Sequence, residues 1–142
     1  MKTIRLFLGI ALLIHFLSCN AQSSQKEIKA SDNNSDKIEA YYFHFTARCV
    51  TCRTIEAKAK EDLEVLYPNQ VKQGLITFQS VNLEEASSKT LAEKLGVSGQ
   101  TLLLVKGDQK INLTNEGFMY AVAKPEKFKE IINEKVDGLL SK

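Results

Sequence analysis

Between residues 38 and 140 the apolar positions follow two periods, and the changes of period mark the elements. Ile38 to Thr46 is almost continuously apolar and aromatic, with Ala40-Tyr41-Tyr42-Phe43-His44-Phe45 at its centre. That is the pattern of a central strand covered on both faces. Cys52, Ile55, Ala59, Leu63 and Leu66 then recur at helical spacing. They predict a helix that starts at Cys49-Val50-Thr51-Cys52 and stops before Pro68, since the residue before a proline disfavours helix. Leu75 to Asn82 alternates and predicts a second strand. Ser87 or Ser88 can cap a short helix carrying Leu91 and Leu95, and Gly96 suits its left-handed end.

Thr101 to Lys106, with Leu-Leu-Leu-Val inside it, predicts a third strand, and Gly107-Asp108 turns it into Lys110 to Thr114 as a hairpin. Lys124-Pro125-Glu126 opens a last helix, whose buried stripe is Phe128, Ile131, Ile132, Val136 and Leu139. Phe118 to Ala123 is an apolar run that fits no predicted element. Packing against the sheet is its ordinary role, and a docking patch for a partner is the alternative. The predicted order is β-α-β-α-β-β-α, an α/β class with no internal repeat.

The first 37 residues change the picture. Lys2 and Arg5 precede an apolar run from Leu6 to Leu17 and then Ser18-Cys19, the charge, length and small residue of a signal peptide. The run is about half of what a spanning helix needs. Phe16-Leu17-Ser18-Cys19 resembles the lipobox of bacterial lipoproteins, in which the cysteine becomes the lipid-modified first residue. Phe16 departs from the usual aliphatic residue there, which leaves ordinary cleavage near Ala21 as the other route. The expected organisation is a signal peptide over 1–18, a flexible polar tether over 19–37 anchored through Cys19, and a folded domain over 38–142. The expected location is outside the cytoplasm, facing the periplasm, held to the membrane by the lipid.

Composition narrows the partners. The formal charge of +2 rests on 19 basic and 17 acidic residues, and Lys2 and Arg5 of the leader account for the excess. With no basic patch, nucleic acid is not an expected partner. Three cysteines are present; if Cys19 carries lipid, Cys49 and Cys52 remain as a pair.

Two thiols three apart at a helix start share a face, with Cβ atoms roughly 5–6 Å apart, and a disulfide wants about 3.8 Å. Modest side-chain rotation therefore closes or opens the bond. The unpaired N–H groups of the first turn, with Arg48 and Arg53 alongside, favour thiolate over thiol at Cys49. Cys49 is thus the expected attacking thiolate and Cys52 the resolving thiol. Two other roles stay open for the pair. One is a structural disulfide, whose short ring yields little chain-entropy stabilisation, or a pair of unreactive buried thiols. The other is soft-metal binding of the Cu(I) type with a third ligand. Around the pair, Arg48 can meet an acidic partner or remain solvated. His44 is either a satisfied core histidine or a proton acceptor or metal ligand. Glu56 either relays protons or pairs with Lys60 on the solvated face. Arg53 is expected to be a solvated helix residue.

The segments Phe43 to Cys52, Phe78 to Glu84 and Leu95 to Leu104, in this order with Cys-x-x-Cys between the first strand and helix, resemble the thioredoxin fold in its shorter form. The resemblance implies a mixed four-stranded sheet flanked by helices. It also implies a thiol–disulfide oxidoreductase with Cys49 and Cys52 as its catalytic pair, a redox-active disulfide in place of any cofactor, and a protein or small-molecule thiol or disulfide as substrate. Thr46 to Glu56 also resembles a small bacterial thioredoxin-like family labelled as a nitrophenyl-compound nitroreductase subunit. Nitroreduction needs a flavin or similar carrier, and the chain has no glycine-rich nucleotide loop. The departures from the thioredoxin pattern are specific. Arg48 stands where a tryptophan is usual, and Val50 and Thr51 where glycine and proline are. Phe43 stands at the buried acid and Ser80 at its lysine partner. Gln100 stands at the cis-proline that faces the dithiol and binds substrate backbone, which places it near the sulfurs. A different substrate surface implies a narrow set of partners. A non-catalytic accessory subunit of a reductase complex is the remaining alternative.

Overall fold

The strand Ile38–His44 (β1) runs through the middle of the domain with its side chains buried on both sides, in a computed structural model that describes residues 36–141. Its even positions Ile38, Ala40 and Tyr42 enter one core, and its odd positions Tyr41 and Phe43 enter another. This two-sided burial is why the segment reads as continuously apolar rather than alternating. The leader 1–18, Cys19 and nearly all of the tether 19–37 lie outside the described residues.

Helix α1 (Val50–Leu66) follows, then a one-turn helix α2 (Pro68–Lys72) and strand β2 (Ile76–Asn82). A 3-10 turn at Ala86–Ser88 leads into α3 (Lys89–Leu95), and strands β3 (Thr101–Lys106) and β4 (Gln109–Asn112) form the hairpin. Helices α4 (Thr114–Tyr120) and α5 (Pro125–Leu140) complete the chain. The sheet order is β2-β1-β3-β4. β1 is parallel to β2 and antiparallel to β3, and β3 is antiparallel to β4. The domain is therefore α/β with a mixed four-stranded sheet flanked by helices, the architecture of a thioredoxin-like fold. Ile55, Ala59 and Leu63 of α1 pack with Phe128, Ile132, Val136 and Leu139 of α5 on one face of the sheet. Ala92 of α3 packs with Phe43, Val81, Leu103 and Val105 on the other.

Several local expectations are corrected. β1 ends at His44, two residues short of Thr46, and β4 ends at Asn112 rather than reaching Thr114. α2 and α4 add two short helices to the expected order. Ser88 is the residue before α3, but it has helical backbone angles and its side chain makes no capping bond, because the preceding 3-10 turn already directs the chain into the helix. Gly96 takes the left-handed end of α3 with φ of 72°, as expected. The unplaced run Phe118 to Ala123 is split. Phe118, Met119 and Tyr120 belong to α4, Gly117 just before the run and Ala121 within it face the core, and Phe118, Met119 and Val122 face solvent.

Candidate functional site

The parallel pair β1 and β2 and the antiparallel strand β3 bring three chain segments to one end of the sheet. At that end β1 finishes, β3 begins, and α1 starts after a five-residue connection, so Gln100, immediately before β3, faces the start of α1. Hydrogen bonds pin the connection to the end of β2. The Thr46 N–H donates to Glu84 Oε2 at 2.6 Å and Asn82 Nδ2 donates to Thr46 Oγ1 at 2.9 Å. The Glu84 N–H in turn donates to Asn82 Oδ1 at 3.0 Å. The Thr46 bond holds the Glu84 carboxyl below its ordinary value.

Cys49 is the N-cap of α1. Its backbone is extended, with φ −74° and ψ 168°, and its sulfur accepts from the Cys52 N–H at 3.3 Å. A sulfur thus occupies the place that serine, threonine or aspartate oxygen commonly fills, against the orphan donors of the first turn. Cys49 is exposed and Cys52, one turn further, is 5% exposed. Both are free thiols. Burial pushes the Cys52 thiol up, but hydrogen bonding with Cys49, with Gln100 and with the local backbone outweighs it, and the thiol lies below its ordinary value.

Gln100 is brought to the dithiol. The Cys52 thiol donates to its Oε1 at 3.3 Å, and its Nε2 donates to the Tyr42 hydroxyl. Tyr42 is 1% exposed and its hydroxyl is pushed up to about 12. Burial is the main cause, partly offset by the Gln100 hydrogen bond, with Cys52 and Glu56 adding to the rise and Arg48 opposing it. Tyr42 was not among the residues singled out from the sequence. Its signal was a phenol inside an otherwise apolar strand, since a buried tyrosine hydroxyl normally finds a polar partner.

Arg48 pairs with Glu56 through its Nη1 and Oε2, both side chains being about four-fifths buried. The expected Glu56–Lys60 pair is therefore corrected: Glu56 turns toward the loop, and Lys60 lies 3.9 Å from Glu64 instead. The reason is position. Glu56 is one helical turn beyond Cys52 on the half-buried side of α1, where Arg48 folds back over it. Arg53 is exposed, as expected.

His44 is a satisfied core histidine. Its Nδ1–H donates to the Phe45 carbonyl at 2.9 Å, and its Nε2 is hydrogen-bonded to the Ser80 hydroxyl at 3.0 Å. It shares a sheet face with Tyr42, the ring centroids being 6.3 Å apart, but both nitrogens are committed away from the sulfurs. Phe43, fully buried, points into the opposite core. No group of three or more His, Cys, Asp or Glu side chains gathers to hold a metal ion among the described residues. None of the described helices is long and apolar enough to cross a membrane.

Chemically, the site offers an exposed sulfur at a helix start, a buried thiol one turn below it, and a neutral amide and phenol behind that thiol. No protein-family model matches the chain, and no curated protein matches it in sequence.

Proposed function

We propose that Cys49 and Cys52 form a reversible dithiol/disulfide couple, and that the protein is an extracytoplasmic thiol–disulfide oxidoreductase of the thioredoxin-like kind, tethered to the membrane through lipidated Cys19. The observation that carries this reading is the asymmetry of the pair. Cys49 is exposed and receives an N–H of the helix start, while Cys52 is buried directly beneath it. The Cys49 thiolate attacks one sulfur of a substrate disulfide, and a substrate thiolate leaves and takes a proton from solvent. Cys52 then gives up its proton, attacks the Cys49 sulfur and closes the intramolecular bond, and the second substrate sulfur leaves as a thiol. Two electrons pass from the dithiol to the substrate, and the reverse sequence oxidises a substrate dithiol. Arg48, largely buried in its pair with Glu56, stands beside the helix start in place of the usual tryptophan, and Gln100 stands in place of the usual proline. Both narrow the choice of partner.

The test is equilibrium titration of the purified protein against reduced and oxidised glutathione, with metal content measured on the same preparation. A two-electron transition between Cys49 and Cys52, together with a Cys52→Ser variant that accumulates mixed disulfides on Cys49, is expected. Copper or zinc at one per chain with no such transition would instead assign the pair to metal binding. Absence of both would leave a non-catalytic accessory subunit.

A further inference from the structure

Behind the buried cysteine stands an amide with two different ends, and behind the amide a phenol that can take either end. In the structure the Cys52 thiol donates to Gln100 Oε1, and Gln100 Nε2 donates to the Tyr42 hydroxyl. That arrangement suits a protonated Cys52. A thiolate has no proton to give and needs a donor, which Gln100 supplies if its terminal amide turns by half a revolution. Reversal would present Oε1 to Tyr42, and a phenol O–H can donate to it as readily as it accepted from Nε2. Tyr42 remains a neutral hydroxyl throughout the ordinary range because burial pushes its ionisation up to about 12.

Resting on the dithiol reading above, we propose that Gln100, anchored on Tyr42, is the positioning residue for Cys52. Its amide accepts the S–H of the resting thiol, and it turns over to donate N–H when Cys52 becomes the attacking thiolate. The titratable and charged groups facing this unit are Cys49 from the helix start, Tyr42 from β1, Glu56 from α1 and Arg48 from the loop. Arg48 and Glu56 form one ion pair, which leaves the Gln100 amide as the neutral group that responds to the charge on sulfur. A charged acid in this place would oppose the thiolate. An amide serves both protonation states and leaves neither with an unpaired buried polar end.

The reading is tested in the full chain carrying Cys49→Ser, so that Cys52 titrates alone, by iodoacetamide labelling followed on the Cys52 peptide across pH. Gln100→Met keeps the side-chain length and removes both hydrogen-bonding ends. A charge-assisted bond to thiolate is worth more than a neutral bond to thiol, so the labelling midpoint should rise by about one pH unit. Gln100→Glu should raise it further by placing a carboxylate against the sulfur, and this variant carries the test should Gln100→Met not fold. Tyr42→Phe retains the amide and should move the midpoint less than Gln100→Met. Equal midpoints for the parent, Gln100→Met and Gln100→Glu, with unchanged thermal stability, would overturn the proposal. A purely structural Gln100 would change the melting temperature and leave the midpoint in place. The labelling needs no turnover, so its failure is distinct from failure of the glutathione titration on the wild-type protein.

Discussion

Gly117 offers a direct measure of how tightly the support behind the cysteine helix is built. It sits in the middle of α4, and a Cβ added there would lie 2.8 Å from Ile55 Cγ2, with Cγ1 and Cδ1 at 3.5 and 3.6 Å. Ile55 is 1% exposed and lies on α1 three residues after Cys52. Two effects oppose each other in Gly117→Ala. Alanine favours an isolated helix over glycine by about 1 kcal/mol, while forcing a methyl into a filled core costs about 1–3 kcal/mol. The clash is with a β-branched side chain, which has one strongly preferred χ1 in a helix and cannot swing Cγ2 aside, so α4 must move away from α1. Packing should win, leaving a net loss of about 1 kcal/mol, which for a domain of this size lowers the melting temperature by roughly 4–8 °C.

The chain has no tryptophan, so urea unfolding is best followed by far-ultraviolet circular dichroism. Ile55→Leu shifts the branch from β to γ and removes the offending methyl. The double variant should therefore be more stable than the two single losses added together, with a coupling of about 1 kcal/mol. A Gly117→Ala protein more stable than wild type, or a double variant that is strictly additive, would refute the packing argument.

Asp62 is buried on α1 with Oδ2 lacking a partner, and burial raises its carboxyl, an effect only partly countered by Lys129 and Lys58. The folded state therefore binds this proton more readily than the unfolded chain. The cost is absent below the unfolded value of about 4, and it grows as pH rises toward the folded value. Asp62→Asn should stabilise the protein at pH 7 by about 1 kcal/mol, with the gain vanishing at pH 3 in the same unfolding assay. Tyr67→Phe removes a buried hydroxyl that lies 2.8 Å from Asp137 Oδ1 and 2.9 Å from Asn133 Oδ1. A loss of about 1–2 kcal/mol is expected, and the Asp137→Asn background should shrink it. Glu56→Gln leaves Arg48 without its largely buried partner and should cost about 1 kcal/mol, less at high salt, as read by thermal melts at two ionic strengths.

The long elements were legible because their burial is simple. β1 is covered on both faces and reads as one apolar run, and α1 and α5 each bury a single stripe. α4 was illegible because its pattern is inverted. Small Gly117 and Ala121 are buried at i and i+4, while large Phe118 and Met119 face outward, so the hydrophobic signal sits on the solvent side. α2 has only five residues, too few to display a period. At the site, local spacing located Cys49 and Cys52, and the thioredoxin resemblance placed Gln100 beside them. Spacing misdirected Glu56, because an i to i+4 rule knows only neighbours on the helix, whereas the actual partner Arg48 comes from the loop before it. Tyr42 escaped notice because an aromatic residue in an apolar strand is accounted for by its ring, and only the fold reveals what its hydroxyl meets.

Every amide ladder in the sheet except β3 with β4 passes through β1. Each of its backbone hydrogens is bonded to one neighbour or the other, so freeing the whole strand requires both β2 and β3 to let go, which amounts to melting the domain. The two sulfurs therefore hang from the last part of the molecule to come apart. Heat or denaturant should loosen the outer hairpin strand and α3 well before the geometry around Cys52 is lost.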